Sequence, residues 1–322
     1  MNIVQFAKVS GLSTATVSRA FSEPEKVRKS TREHVLALAE QLHYYPSPSG
    51  RTLVLGRYDT LGLIWPLEVE GASAPFAHRV LVALTESLIE NDLDLLICPV
   101  QREQPSAVLH AERSLRRSRC DAWILLYPRH NDFLIRPLQM SHKPVICLMG
   151  PLAECPDWKS VVVNQRMWIE DALKRLRANG ANRVLFLGCR LDEPDHRERL
   201  DRFTEIAPKY FGENFQSLPI WPVNVRSILP LLSAERFDAI IGVDDMAALV
   251  GMAACQELKL SVPEDVQILG IDGCPEAIAA NLTTYRQPLE EMTAHAVELA
   301  LGRAHNSEVF NPIFVPGGTL RS

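Results

Sequence analysis

From residue 58 onward, short runs rich in branched apolar residues alternate with stretches of helical period. No other feature of this 322-residue chain constrains its fold as tightly. Leu61–Trp65, Leu93–Cys98, Ala122–Leu126, Val145–Met149, Val184–Leu187, Ala239–Val243 and Gln267–Ile271 read as strands. Between them, Ala77–Glu90, Ala107–Arg117, Trp168–Ala178, His196–Ala207 and Met246–Glu257 read as helices. Strands that alternate with helices pair in parallel and need helices over both faces, so the body is α/β. That many strands suit two doubly wound parallel-sheet lobes rather than one. Ligands bind such sheets off the carboxyl ends of the strands, so two facing lobes would form a cleft lined by both sets of ends.

The first part of the chain follows another pattern. Asn2 reads as an N-cap, with Ile3, Phe6, Ala7 and Ser10 on one helical face, and Gly11 permits a sharp turn. Ser13 caps a second helix whose inner face is Val17, Ala20 and Phe21. Its outer face is left with Thr14, Ala15, Ser18, Arg19 and Ser22, short groups plus one forked cation of the kind a major groove admits. A third helix is expected from Ser30, with Glu33 completing a capping box and Val35, Leu38, Ala39 and Leu42 buried. This is a three-helix helix-turn-helix module; a plain solvated bundle gives no reason for that outer face.

Charge agrees with this division. Residues 1–57 carry eight basic and four acidic side chains, so the acidic excess behind the net charge of −5 lies wholly in the body. A basic head on an acidic body is the asymmetry expected when only the head meets phosphate, and Lys29 is the expected phosphate contact. No run approaches the roughly 18 apolar residues that span a bilayer, and the N-terminus lacks the pattern of an export signal. The seven cysteines are scattered and include no C-x-x-C pair, which argues against a disulfide framework or a zinc site. A cytoplasmic protein without metal or cofactor is expected.

The runs F-A-K-V-S-G-L-S-T-A-T-V-S-R-A-F (6–21), V-R-K-S-T-R-E-H-V (27–35) and L-H-Y-Y-P (42–46) resemble the LacI/GalR family of bacterial transcriptional regulators. The resemblance implies that Thr14, Ala15 and Arg19 enter the major groove while Ser13, Thr16, Ser22 and Thr31 lie near phosphates. Ser22 replaces a usual Asn, and Arg28 a usual small residue. Pro46–Leu53 reads on its own as a flexible tether, yet Ser47 before Pro48 is also a helix start. The family has a hinge helix there that folds only on DNA and inserts a leucine matching Leu53 into the minor groove. Gly50 in place of the usual Ala weakens that helix by roughly 0.5–1 kcal/mol.

For the body, the resemblance implies a periplasmic-binding-protein-like pair of lobes with a small-molecule effector between them. Segment 192–203 resembles the family's S-x-x-R-x-x-G stretch and places Arg197 at the effector-gripping arginine. Val243–Ala247 resembles N-D-x-M-A and implies a cleft position for Asp245. Gly270-Ile271-Asp272, followed by Thr283–Pro288, resembles G-F-D-D … T-T-x-R-Q-P and implies the same for Asp272 and Gln287. Carboxylates, a guanidinium and an amide suit a hydroxyl-rich ligand such as a sugar. Simpler readings stand beside these: Arg197 pairs with Glu193 or Asp201 on a helix surface, and Asp245 caps the following helix. Departures point to a less polar ligand than a plain hexose. Met149 stands where Asp is usual, Asp244 replaces Asn, Gly273 replaces the second Asp, and Glu68–Gly71 replaces D-x-x-N-P-F, leaving Phe76 as the aromatic candidate. Tyr127 and Trp221 are either stacking walls or core.

The expected domains are 1–46 (helix-turn-helix), 47–57 (hinge and linker) and 58–322 (effector binding and dimerisation). Within the last, an N-lobe comprises 58–163 and 288–306, and a C-lobe 164–287 and 307–322. The expected function is ligand-responsive repression from a pseudo-palindromic operator in double-stranded DNA. The expected assembly is a homodimer, with no heptad tail to build a tetramer. Two other readings are a sugar-processing enzyme carrying a DNA-binding module and a regulator that ignores effectors. Against the enzyme, no P-loop, dinucleotide-binding glycine pattern, G-x-S-x-G or H-E-x-x-H occurs, and the histidines show no ligand spacing.

Overall fold

The computed structural model describes residues 1–44, 57–66, 74–101, 105–117 and 119–321. The expected hinge at 47–53, Leu53 included, and the loop Glu68–Gly71 lie outside the described residues. Two compact units emerge: Met1–Thr60 with Arg119–Asp121, and Leu61–Ser118 with Ala122–Ser322.

The first unit holds α1 (Ile3–Ser10), α2 (Thr14–Ser22) and α3 (Lys29–Gln41). Asn2 caps α1 and forms a capping box with Gln5, while Gly11 ends it at φ 69°, a conformation that glycine adopts without steric penalty. The Ser13 hydroxyl accepts from Thr16 N at 3.1 Å and so starts α2. Phe6, Ala7, Val17, Ala20, Val35, Ala39 and Tyr44 form the small core. Two expectations are corrected. Helix α3 starts at Lys29 with Arg28 as a cap that makes no side-chain bond, so Ser30 lies inside the first turn and the Ser30–Glu33 capping box does not form. Leu42 is 39% exposed, because Tyr44 fills the core in its place and stacks on Phe6 with ring centroids 4.3 Å apart.

The second unit begins with β1 (Thr60–Pro66), α4 (Ala74–Glu90), β2 (Asp94–Val100), α5 (Pro105–Arg117), β3 (Ala122–Leu126), α6 (Ile135–Met140), β4 (Val145–Leu148) and β5 (Lys159–Val163). It continues with α7 (Gln165–Ala178), β6 (Val184–Leu187), α8 (Pro194–Phe211), β7 (Phe215–Leu218), α9 (Val225–Ala234), β8 (Ala239–Gly242), α10 (Asp245–Glu257), β9 (Gln267–Asp272), α11 (Pro275–Ala279) and β10 (Thr283–Arg286). Then follow α12 (Leu289–Ala300), β11 (Glu308–Phe310) and β12 (Ile313–Val315).

These strands form two sheets, ordered β11-β5-β4-β3-β1-β2 and β12-β10-β9-β8-β6-β7. Strands β3, β4, β6 and β8 are buried along their whole length, as parallel strands covered on both faces must be. The antiparallel pairing of β12 with β10 closes one edge of the second sheet. Strand β11 pairs in parallel with β5, so the chain remains in the first lobe through Phe310. This moves the last crossing beyond the expected Asn306; the cause is that Glu308–Phe310 completes an edge that would otherwise leave β5 unpaired. In each sheet the first strand of the lobe lies inside the order, β1 between β2 and β3 and β6 between β7 and β8. The connections therefore diverge there, opening a crevice off the strand ends.

Candidate functional site

The helix-turn-helix face is built by caps and burial. With Val17 and Ala20 turned into the core, Ser13, Thr14, Ala15 and Arg19 are exposed on the opposite side of α2, and Thr16 and Ser22 are half-buried. The Ser13 hydroxyl is also 2.8 Å from that of Thr16, and the Ser22 hydroxyl donates back to Ser18 O. Among the described residues, Arg19, Arg28, Lys29 and Arg32 make no ion pair, while Lys26 is held by Glu23. Thr31 is half-buried at the start of α3. The unit thus presents one face of short hydroxyl and methyl groups with uncommitted cations, which fits phosphate and base edges.

The second candidate site lies where strand ends of the two lobes converge. Tyr127, Met149 and Asp272 each follow or end a strand with positive φ (50°, 78° and 133°). A side chain in that region costs of order 1–3 kcal/mol, and such strain concentrates at functional positions. Tyr127 and Met149 leave the paired ends of β3 and β4, and both are buried. Phe76 on α4 lies with its ring centroid 6.3 Å from that of Tyr127. From the second lobe, Gln287 Nε2 donates to Asp272 Oδ1 at 2.6 Å. Burial pushes the Tyr127 hydroxyl well above its ordinary range, and the nearby Asp272 carboxylate adds to that. Trp221 is half-buried and meets His196 edge-on at 5.3 Å, so it sits beside the first turn of α8.

Arg197 does not join this group. Its side chain is 52% exposed and Nε donates to Asp201 at 3.2 Å, the plain surface pair one turn along the helix. The arginine that turns inward is Arg199. It is 2% exposed, bridges Asp195 at 3.1 Å, and donates to Val243 O at 2.7 Å and Gln165 Oε1 at 3.2 Å. The sequence held a signal for this: Arg199, Phe203 and Ile206 share the buried stripe of α8 by helical spacing, and Arg197 falls off it. The period of the helix thus turns inward the arginine two residues beyond the one that the family motif implies.

Asp245 is fully buried, and its oxygens are engaged at home: one accepts from the Thr284 hydroxyl and the other from Cys274 N at 2.8 Å. It ties α10 to β10 and α11 rather than capping its own helix. That cap is Asp244, whose Oδ1 accepts from Ala247 N at 2.6 Å.

Around Arg199 the carboxyl groups crowd. Burial, reinforced by Asp195, pushes Glu193 up to about 7, against the pull of Arg190 and Arg129. Burial likewise pushes Asp244 up to about 6 and Asp272 well above the usual carboxylate range. Burial and the neighbouring Arg199 and Arg190 hold His196 well below its ordinary value, so it is neutral, with Nδ1 accepting from Arg190 N at 3.2 Å. Glu193, Asp195 and His196 bring possible ligand atoms within 4.8 Å of one another. Each is already engaged: Glu193 by Arg190 at 3.4 Å and Arg129 at 3.8 Å, Asp195 by Arg199, and His196 by the backbone. A metal centre would have to break all of these.

The lobes are also tied directly. Arg79 Nη1 on α4 donates to the carbonyls of Asp272 at 2.7 Å and Gly273 at 3.0 Å, and His130 N donates to Asp192 O at 3.1 Å. Arg79 was not legible in the sequence, because nothing local marks a helix residue that reaches another lobe.

Comparison with known proteins agrees with both halves. Residues 2–47 match the model of bacterial regulatory proteins of the lacI family, and residues 173–321 that of a periplasmic binding protein-like domain. The transcriptional repressor PurR of Aliivibrio salmonicida is 24% identical over 97% of this chain and 95% of its own. In fold, the chain is similar to the lac repressor dimer bound to operator and the anti-inducer ONPF (TM-score 0.80, 19% identity, 100% and 99% of the two chains). It is also similar to the regulator CelR in its cellobiose complex (TM-score 0.70, 20% identity, 99% of each). A three-helix head that matches the lacI family model, and two lobes of which residues 173–321 match a periplasmic binding protein-like domain, together make the chain a DNA-binding transcriptional regulator built like those of the LacI family.

Proposed function

We propose that the protein is a repressor that binds a pseudo-palindromic operator as a homodimer and responds to a small hydroxyl-rich metabolite held between its lobes. The observation that carries this is the uncommitted Thr14–Arg19 face on a head joined to a two-lobed body with strained, polar strand ends. Thr14, Ala15 and Arg19 read bases, while Ser13, Thr16, Ser22, Lys29 and Thr31 meet the backbone. Tyr127, Met149, Phe76, Asp272 and Gln287 line the effector site, with Trp221 at its edge. Arg199, rather than the expected Arg197, is the arginine of this site, where it braces Asp195 and the Val243 carbonyl. Relatives support a sugar-like ligand: CelR is seen with cellobiose, and a CCPA from Weissella paramesenteroides with bound glucose. No helix among the described residues is long and apolar enough to cross a membrane. The protein works in the cytoplasm, as a regulator rather than a catalyst.

Two experiments test this reading. Arg19→Ala should lose about 1–3 kcal/mol of discrimination between operator and scrambled DNA, whereas Lys29→Ala should weaken both alike and lower the salt slope by about one. Full sequence preference in Arg19→Ala, measured by competition gel shift, would remove α2 from the major groove. For the dimer, Val82 and Ile89 lie two turns apart on one face of α4, 44% and 72% exposed. Large apolar side chains repeated on one face mark an interaction surface. Ile89→Asp should therefore shift the protein toward monomer in sedimentation velocity and weaken operator binding at least tenfold. An unchanged sedimentation coefficient would move the dimer interface elsewhere.

A further inference from the structure

The cleft holds buried carboxyl groups that no cation in contact balances. Asp195, Asp244, Asp245 and Asp272 are all buried; the Arg199 guanidinium is committed to Asp195, and among the described residues the other three make no ion pair. Asp244 spends its carboxylate on the start of α10, and Asp245 on Thr284 and Cys274 N. Arg79 reaches Asp272, but only at the main-chain carbonyl. Asp272 is thus left with one oxygen that accepts no hydrogen bond from a described residue. Beside it stands a buried acceptor that has no donor. Gln287 is 1% exposed, gives its Nε2 to Asp272, and keeps a buried Oε1 with no partner. Unsatisfied buried acceptors cost free energy, and native proteins retain them where a ligand completes them. The unpartnered Gln287 carbonyl beside the Asp272 carboxyl suits a group that carries several donors on one atom together with a positive charge. A hydroxyl offers one donor and no charge; an alkylammonium offers three and a full unit.

We propose that the effector is an aminated polyol or amino sugar whose ammonium group is seated by Asp272 and the Gln287 side-chain carbonyl. The proposal rests on the reading of this cleft as the effector site, narrows the ligand class within it, and replaces the expectation of a ligand less polar than a hexose. The rings of Phe76 and Tyr127, 6.3 Å apart, suit the carbon face of such a ligand.

Matched pairs decide the matter. The full chain is titrated calorimetrically at pH 7.5 with glucosamine against glucose, galactosamine against galactose, and glucamine against sorbitol, with N-acetylglucosamine as the uncharged control. The expected result is that the amine of at least one pair binds at least tenfold more tightly than its hydroxyl counterpart, and than the N-acetyl compound where that control applies. In Asp272→Asn, that ratio should fall toward one. Neutral members that bind as tightly as their amines, or a ratio unchanged in Asp272→Asn, would overturn the ammonium seat while leaving the cleft as the effector site. If no member of any pair binds, the sugar-like effector falls, and this proposal with it.

Discussion

Arg199→Ala is expected to destabilise the body by about 3–5 kcal/mol, while Arg197→Ala, two residues away on the same helix, should change it by less than about 1 kcal/mol. Arg199 is buried and each of its nitrogens is engaged, with Asp195, Gln165 Oε1 and the Val243 carbonyl. Truncation strands the Asp195 carboxylate, 7% exposed, with no cation in contact, and leaves the Val243 carbonyl short of its donor. Arg197 pairs with Asp201 where both side chains are more than half exposed, so water replaces the contact at little cost. Arg199→Lys should rescue little, because one ammonium cannot span three acceptors fixed in a fork. The measurement is the urea midpoint of each variant, followed by a probe of the second unit such as tryptophan fluorescence. Equal midpoints for Arg199→Ala and Arg197→Ala would mean that the buried network contributes nothing.

Glu193→Gln should make the protein more stable at pH 8, by up to about 3 kcal/mol, and leave stability unchanged near pH 4. Burial raises Glu193 from an ordinary glutamate value near 4.5 to about 7. An acid whose folded value lies above its unfolded one holds its proton more tightly when folded. Below the unfolded value it is protonated in both states and costs nothing; stability then falls as pH rises toward about 7 and stays lowered beyond it. A gap of about 2.5 units corresponds to roughly 3 kcal/mol. Asp244, pushed up to about 6, adds a contribution of the same sign over a lower window. Glutamine imitates the protonated form and removes the Glu193 part of that slope. Thermal melts of both proteins across pH 4.5–8.5 test this; a constant offset between the two curves would show that Glu193 does not titrate in that window.

The helix-turn-helix was legible because its determinants are local. Asn2, Gly11 and Ser13 act on their own backbone within a few residues, and Phe6, Val17 and Val35 fall on helical faces by period alone. The long buried strands were equally plain, since β3, β4, β6 and β8 are unbroken apolar runs. Strands β5, β7, β10, β11 and β12 were not read: β7 is half-buried throughout, β11 has two exposed residues of three, and β7, β11 and β12 exist because a neighbouring edge accepts them.

The sequence by itself determined the class of the protein: a basic three-helix head, an acidic body of two parallel sheets, and the loops where strand ends would gather polar groups. Those are consequences of period, cap and charge, which act over a turn or a strand. Tertiary structure alone decided which polar groups meet. It turned Arg199 inward and Arg197 outward, spent Asp245 on Thr284 and Cys274, joined Asp272 to Gln287 across 15 residues, and brought Arg79 to the Asp272 backbone from the other lobe. The physical reason is that a buried charge is tolerated only where partners from several elements converge, and that convergence is set by the packing of the sheets rather than by any neighbour in the chain.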